Sequence, residues 1–474
     1  MVDNTSQLFG PTDFILRNCK IIGADGKPIE FKLISAELSY FEDLFGNASS
    51  GQLSVSDSDN RLSDKSFCGD EFLKLELEKP GNDDPGNTPL KKYCRIYNVS
   101  GRNLTKDTNE NYVFNFSTEE IFLSEQYRVS KSYKKKRIDE IVVDIAKTYL
   151  KIREQELKQE NIFETLGTFD IIIPNLKPLE AINWLCTHAV SIDTRLKGAT
   201  FLFFNNKEGW NFKPIIGIYG DYEKYGLNGG YIYDRYWYGV KNDGQTEIDD
   251  PSGWDIKNII SYQIMNNYDS FESTQDGIFA NRLIWTDNKS RLHEETIFDY
   301  DKYFNEIKGS LSLYKNWHPY GLMSDAENRF KQKHNEVHET VLKQGFKTEN
   351  NRINETIPYR YAQLRLATAT RLKVAVPGDT NLTVGMVVYI DLRAPAPVQA
   401  SNAESSKKLD KFYCGRYLIT ALRHRIDQEQ NFETTLELCK DSFVSAVSTM
   451  DTPGLLPYNN GSEELIRART QGTF

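Results

Sequence analysis

No apolar run in the 474-residue sequence reaches the roughly 18 residues that a membrane-spanning helix requires, so helical insertion into a bilayer is excluded. The opening residues, MVDNTSQLFG, carry no basic segment leading into an apolar one, and no secretion signal is expected. Cysteine is sparse. Cys19, Cys68, Cys94, Cys186, Cys414 and Cys439 are scattered with no CxxC pair, which excludes a zinc ribbon or a thioredoxin-type site. Apolar surroundings such as LEAINWLC at Cys186 point to buried free thiols in a reducing compartment. Basic side chains are in the minority, 58 against 67 acidic, for a net charge of −9. That balance disfavours broad adhesion to nucleic acid or anionic lipid; beside DNA such a chain lets the polymer slip past.

Catalytic and cofactor signatures are missing as well. HNEVH (334–338) spaces two histidines on one helical face. A zincin needs glutamate where this chain has Asn335, or in the inverted pattern where it has Val337. GNDDPGNT (81–88) spaces Gly81 and Gly86 like a phosphate loop, but Asn87 replaces the lysine and a turn between strands is the better reading. DSDN (57–60) opens like a calcium loop and fails at Leu62, where glycine is required. No GxSxG elbow or dinucleotide fingerprint is present. No catalytic, cofactor-binding or metal-binding residue is therefore assigned, and the chain is not expected to be an enzyme.

What is present is a packed-core composition, 39% hydrophobic, with 26 Tyr and 26 Phe, at a length that argues for about three domains. The chain also contains an internal duplication. LISAELSYFEDLFGNASSG (33–51) aligns without a gap on IISYQIMNNYDSFESTQDG (259–277). Ile34, Ser35, Asp43, Phe45 and Gly51 meet Ile260, Ser261, Asp269, Phe271 and Gly277 at an offset of 226. Further on, Tyr93-Cys94-Arg95-Ile96-Tyr97 meets Tyr413-Cys414-Gly415-Arg416-Tyr417, and Asn111-Tyr112 meets Asn431-Phe432, at an offset of 320. Between these blocks FLKLELE (72–78) has a counterpart in MVVYIDL (386–392). The offsets differ by 94 residues, which must loop out of the second copy. Alternating stretches such as KLELE, YVFNF and TTLEL make both copies strand-rich, and short strands at this spacing predict small antiparallel barrels or sandwiches.

The region between the copies has a different texture. Residues 136–159 place Ile138, Ile141, Val142, Ile145, Tyr149 and Leu150 on one helical face, and 177–190 predict a second helix with a proline near its start. ATFLFF (199–204) and WNFKPIIGI (210–218) predict two strands joined by NNKEG, and 321–349 again read as helical. The run KSYKKKR (131–137) reads as a solvated basic face opening a helix. YGDYEKYGLNGGYIYDRYWY (219–238) is rich in tyrosine, read first as packing or interface and second as a carbohydrate-stacking surface. From Val447 onward the chain reads as a loose tail with a short helical patch at 462–468.

Together these blocks resemble the central baseplate hub protein of contractile-tailed, T-even-like bacteriophages. ISAELSYFEDLFGNASSGQLSVSDS (34–58) is similar to the opening strands of its first tube domain. PLEAINWLCTHAVS and GATFLFFNNKEGWNFKPI (178–215) are similar to the helix and hairpin of its insertion module. NLTVGMVVYIDL through YLITALRHRIDQEQNFETTLEL (381–438) is similar to the closing strands of its second tube domain. The chain departs from that pattern by extra length at 219–250 and at APAPVQASNAESSKKLDK (394–411), additions expected to meet partner proteins.

The resemblance implies an α+β, mainly β fold: two similar small antiparallel tube-like β-barrel domains, the second interrupted by an α+β insertion module. The expected division is a first barrel at 1–125 and a second at 251–291 plus 356–446. The insertion module would comprise 126–250 and a helical second part at 292–355, with a tail at 447–474. The implied role is structural. A homotrimer would present six similar barrels in a ring, with a central spike protein below, a tail-tube or tube-initiator protein above, and other baseplate (wedge) proteins as further partners. DNA would pass through without specific binding, and the location would be the virion baseplate, assembled in the host cytoplasm. Two alternatives remain at this point. One is the hub of a related injection machine, tailocin or secretion-type, although no downstream spike or β-helix is visible. The other is a carbohydrate-binding or glycan-degrading protein, for which Asp221, Glu223 and Asp234 lie near the aromatics but nothing pairs them.

Overall fold

The computed structural model describes residues 10–23, 26–31, 35–58, 67, 69–80, 89–106, 109–193, 198–219, 235–238, 257–266, 280–287, 291–299, 303, 339–344, 353–392, 410 and 413–440. The motifs at 81–88 and 334–338, and nearly all of the 394–411 loop and the tail from 447, lie outside them.

The first copy consists of β1 (Ile15–Ile22), β2 (Pro28–Glu30), β3 (Ser35–Asp43), β4 (Ser50–Asp57), β5 (Phe72–Glu78), β6 (Leu90–Lys106) and β7 (Asn109–Ser117). Period-two alternation builds them. In β5, Leu73, Leu75 and Leu77 are buried while Lys74 and Glu76 point outward. Asp57, in the failed calcium motif, is a buried strand end that accepts the Tyr112 hydroxyl at 3.1 Å.

The central module follows with α1 (Glu119–Gln126), β8 (Ser132–Lys136), α2 (Ile138–Thr148), β9 (Phe169–Ile172), α3 (Pro178–Cys186), β10 (Phe201–Asn206), β11 (Gly209–Pro214) and α4 (Ile215–Tyr219). Three expectations are corrected here. The basic run 131–137 is not itself a solvated helical face: residues 132–136 form β8, paired with β9, with Tyr133 buried, and Arg137 caps the α2 helix that follows. The helix expected over 136–159 ends at Thr148, because Lys151 takes a left-handed conformation (φ 54°) and the chain doubles back to bury Ile152 and Leu157. Residues 215–218, expected as strand, begin the short helix α4. The start of α2 is capped from a distance, since the Thr165 hydroxyl accepts the Ile138 and Asp139 amides and donates to the Asp139 carboxylate at 2.6 Å.

The second copy holds β12 (Arg235–Trp237) and β13 (Ser261–Asn266). It continues, after the looped-out segment, with β17 (Thr370–Pro377), β18 (Val387–Asp391), β19 (Gly415–Ile426) and β20 (Phe432–Lys440). The looped-out segment carries β14 (Ala280–Asp287), β15 (Leu292–Asp299), β16 (Glu339–Gln344) and α5 (Ile353–Ala369). Residues 292–355 were expected to be helical; their described part is mostly β15 and β16. Both strands pair with β14 in a separate three-stranded sheet, β16 in parallel, so β14 also leaves the second barrel to which 251–291 had been assigned. Parallel pairing between segments some 50 residues apart leaves no local period to read.

Among the described residues the two copies form one thirteen-stranded sheet. Its path is β13-β17-β20-β19-β3-β4-β7-β6-β5-β1-β2, with β18 and β12 branching from β19. One unbroken cross-strand row runs along this path: Ser261, Ala375, Thr435, Arg423, Phe41, Ser50, Ser117, Arg95, Phe72, Ile22, Pro28. Strand neighbours repeat between copies, β3-β4-β7-β6-β5 matching β13-β17-β20-β19-β18. Individual side chains follow less strictly. At the uniform offset Leu53 and Val55 of β4 would fall on Lys373 and Ala375 of β17, whereas Leu372, Val374 and Val376 are the buried residues. The duplication conserves strands and their neighbours, and bulges absorb the difference.

Three cores fill this frame. The first lies inside copy one, around Leu53, Leu75 and Phe114. A second fills the module around Ile141, Leu185 and Trp210. The third joins copy two to α4 and α5.

Candidate assembly surface

The seam where β3 meets β19 is built from the two copies of the duplication. Six antiparallel pairs, from Leu38–Ile426 to Asp43–Ala421, join residues nearly 400 positions apart. Side chains are exchanged across it: Ile426 and Phe432 enter the first copy's core, and Leu44 enters the second's. The buried row through the seam is Val376, Thr434, His424, Tyr40, Gly51, Phe116, Ile96. Gly51 is required there, since a Cβ would stand 2.3 Å from the Phe116 ring and 2.5 Å from the Ser39 carbonyl. His424 stacks on Tyr40 and shares a 2.9 Å hydrogen bond with the Thr434 hydroxyl. Burial pushes its pKa down to about 4, so the ring is neutral at pH 7.

Two buried carboxylates clamp the turn Asp379–Met386 against this seam. Glu42 of β3 accepts the Thr383 hydroxyl at 2.5 Å, the Val384 amide at 3.1 Å and the Tyr40 hydroxyl at 3.1 Å. Asp379 accepts the Lys257 ammonium at 3.0 Å, the Tyr236 hydroxyl at 3.1 Å and the Asn381 amide at 3.0 Å. Burial works against the Asp379 charge, but Lys257 and these donors outweigh it and hold the carboxyl below its ordinary pKa. The module is tied to the same turn, through Lys207 to the Thr380 carbonyl and Asn206 to that of Val384. Asn47 and Lys92 of copy one reach Phe203, Asn205 and Asn206. Sequence reasoning missed Glu42, Asp379 and His424, because nothing in their local patterns distinguishes them from surface residues.

On its solvent side the seam carries both signs of charge in contact. Arg423 and Arg425 both reach Glu37, at 3.0 and 2.9 Å, and Arg371 reaches Glu437 at 2.6 Å. Towards copy one the row continues through the buried Ser39 and Asn115 with the exposed Gln52 between them. A second outward stripe is aromatic: Phe72 stacks on Tyr93, and Arg95 lies 5.9 Å from the Phe72 ring.

The tyrosine-rich segment is described at Tyr219 and 235–238, and there most of it packs. Tyr219 bonds Cys439 at 2.7 Å, and β12 adds to β18 with Tyr236 buried. Cys19, Cys94, Cys186, Cys414 and Cys439 are buried free thiols, as expected from the sequence. Among the described residues no cluster of three or more metal-ligating side chains occurs.

This arrangement has counterparts among known proteins. No family model matches the chain. Over 77 residues, 16% of this chain and 16% of the relative, it is 38% identical to the probable baseplate hub protein gp334 of Vibrio phage KVP40. A tail protein from Neisseria meningitidis MC58 superposes with a TM-score of 0.50 and 10% identity, covering 90% of this chain and 97% of that one. The fold is shared with a tail protein. A 43 kDa tail protein of prophage MuSo2 from Shewanella oneidensis aligns at a TM-score of 0.47 and 8% identity, over 90% and 98% of the two chains. The resemblance to baseplate hubs is thus met by a partial sequence match to such a hub, and the mainly β, antiparallel architecture by a tail-protein fold. The Vibrio phage relative is named as a baseplate hub protein and the Neisseria protein as a tail protein.

Proposed function

We propose that this chain is a structural hub of a phage tail baseplate, three copies of which form a ring of six similar β-domains. The supporting observation is the repeated strand order within one sheet, joined head to tail at the β3–β19 seam. A six-fold tube and a three-fold spike present different symmetries, and a trimer of duplicated domains offers both. The proposed division keeps a first β-domain to about residue 117, a module at 118–219, and a second β-domain at 235–266 plus 370–440, with the segment carrying β14–β16 and α5 looped out. A spike protein would dock below and a tube or tube-initiator protein above, in the virion baseplate. DNA would pass along a face like the solvent side of this sheet, where Arg423 and Arg425 are matched by Glu37 and Arg371 by Glu437. Light scattering of the purified chain tests the ring. Three times 54.6 kDa, about 164 kDa, is expected, alone or with the spike added; a monomer under both conditions refutes it.

A further inference from the structure

The N-terminal segment lies across the end of the seam. Gly10–Asp13 closes as a turn: the Asp13 amide donates to the Gly10 carbonyl at 3.2 Å, and the Gly10 amide to the Asp13 carboxylate at 2.6 Å. This turn precedes β1 of copy one, yet it rests on copy two, beside the β19–β20 hairpin turn at Asp427–Asn431. The Thr12 carbonyl accepts the Phe432 amide at 3.0 Å, and the Phe14 ring meets the Phe432 ring edge-on at 6.2 Å. Phe432 is one of the copy-two residues that enter the first copy's core. Its other attachments lie within copy two: its carbonyl accepts the Gly378 amide at 2.8 Å, and its ring covers Gly378, where a Cβ would stand 2.0 Å away. A buried cation is tied to the same turn. Lys79, the residue after β5, is 2% exposed, and its ammonium donates to the Pro11 carbonyl.

Little holds the turn in place. Asp13 is exposed and Gly10, Pro11 and Thr12 are half-buried, the texture of a segment that opens locally while the rest of the fold stays intact. Lys79 works against the closed arrangement. Burial lowers its pKa from 10.5 to about 8, while Asp379 of copy two and Asp13 of the turn face it and act the other way. We infer that the Gly10–Asp13 turn is a latch. Closed, it clasps Phe432 and seals Lys79; open, it releases both and loosens the joint between the two copies at this end of the seam. The charged ammonium favours the open form, so the latch closes more firmly as pH rises above about 8. A contact that takes hold of the turn therefore acts on the joint. The latch is internal to one chain and does not depend on the ring.

A disulfide lock and a release variant test it. Thr12→Cys with Asn431→Cys joins turn and hairpin where the two side chains stand 3.5 Å apart. Asp13→Ala removes the acceptor of the Gly10 amide at an exposed position, so the fold is retained. The readouts are amide exchange at Phe432 and acetylation of Lys79 by an amine-reactive reagent, with the amides of β4 and β7 as the control. Asp13→Ala should speed both readouts roughly tenfold, as expected for losing one hydrogen bond to a carboxylate, and leave the control unchanged. The oxidised lock should slow both by about tenfold or more, and reduction should reverse this. Rates that the lock leaves unchanged, or a cysteine pair that does not oxidise, would overturn the inference. So would control amides that accelerate as much as Phe432 in Asp13→Ala, since the turn would then be part of the global fold. Acetylation of Lys79 in the parent as fast as that of the exposed Lys74 would mean that no latch closes over it.

Discussion

Replacing Glu42 by alanine should loosen the seam between the two copies, and by an amount the geometry allows to be worked out. The carboxylate accepts three donors, from Thr383, Val384 and Tyr40, all in the buried seam. Hydrogen bonds to a charged group contribute about 1.5–3 kcal/mol each, and orphaned donors add to the loss. Relief of the carboxylate's own desolvation, several kcal/mol, offsets part of that. A net destabilisation of about 3 kcal/mol remains, roughly two decades in an opening equilibrium. Amide hydrogen exchange reads it directly, since the Val384 N–H is one of the three donors. Exchange at Val384 and along β3 should accelerate about a hundredfold in Glu42→Ala and far less in Glu42→Gln, which keeps an acceptor. If the alanine variant exchanges at the parent's rate, the strand ladder, the Glu37 ion pairs and apolar packing hold the seam without Glu42, and this account of the carboxylate is wrong.

Three further outcomes follow from the same structure. His424 has its pKa lowered to about 4 against an ordinary 6.5, so protonation favours the unfolded chain. The stability it contributes is complete above about pH 6.5 and falls by up to about 3 kcal/mol as pH drops to about 4. Urea midpoints measured across that window should show this slope, and His424→Gln should flatten it. Gly51→Ala should destabilise the first copy by about 1–3 kcal/mol through its clash with Phe116 and the Ser39 carbonyl; an unchanged midpoint would refute the close approach. The Cys94 and Cys186 thiols, pushed up to about 12 by burial, should resist a thiol reagent in the folded protein and react at once in denaturant.

Much of the architecture could be read before any coordinates. Alternation along FLKLELE, YVFNF and TTLEL is a local property, because burying one face of a strand selects every second side chain. The duplication was legible for the same reason, since two copies of a strand order carry two copies of its alternation, and unequal offsets exposed the looped-out segment. Pro178 at the head of α3 likewise marked its own position. Tertiary structure alone decided the rest. The end of α2 depends on where Ile152 and Leu157 find a core, and the assignment of β14 depends on a parallel partner at 339–344. The seam is the clearest case. Nothing near Glu42 or His424 in sequence announces that β3 will meet β19 across nearly 400 residues, because that choice is made by which edges remain open once each copy has folded. Local periodicity determined the strands of this protein; the competition among their edges determined how the two copies join.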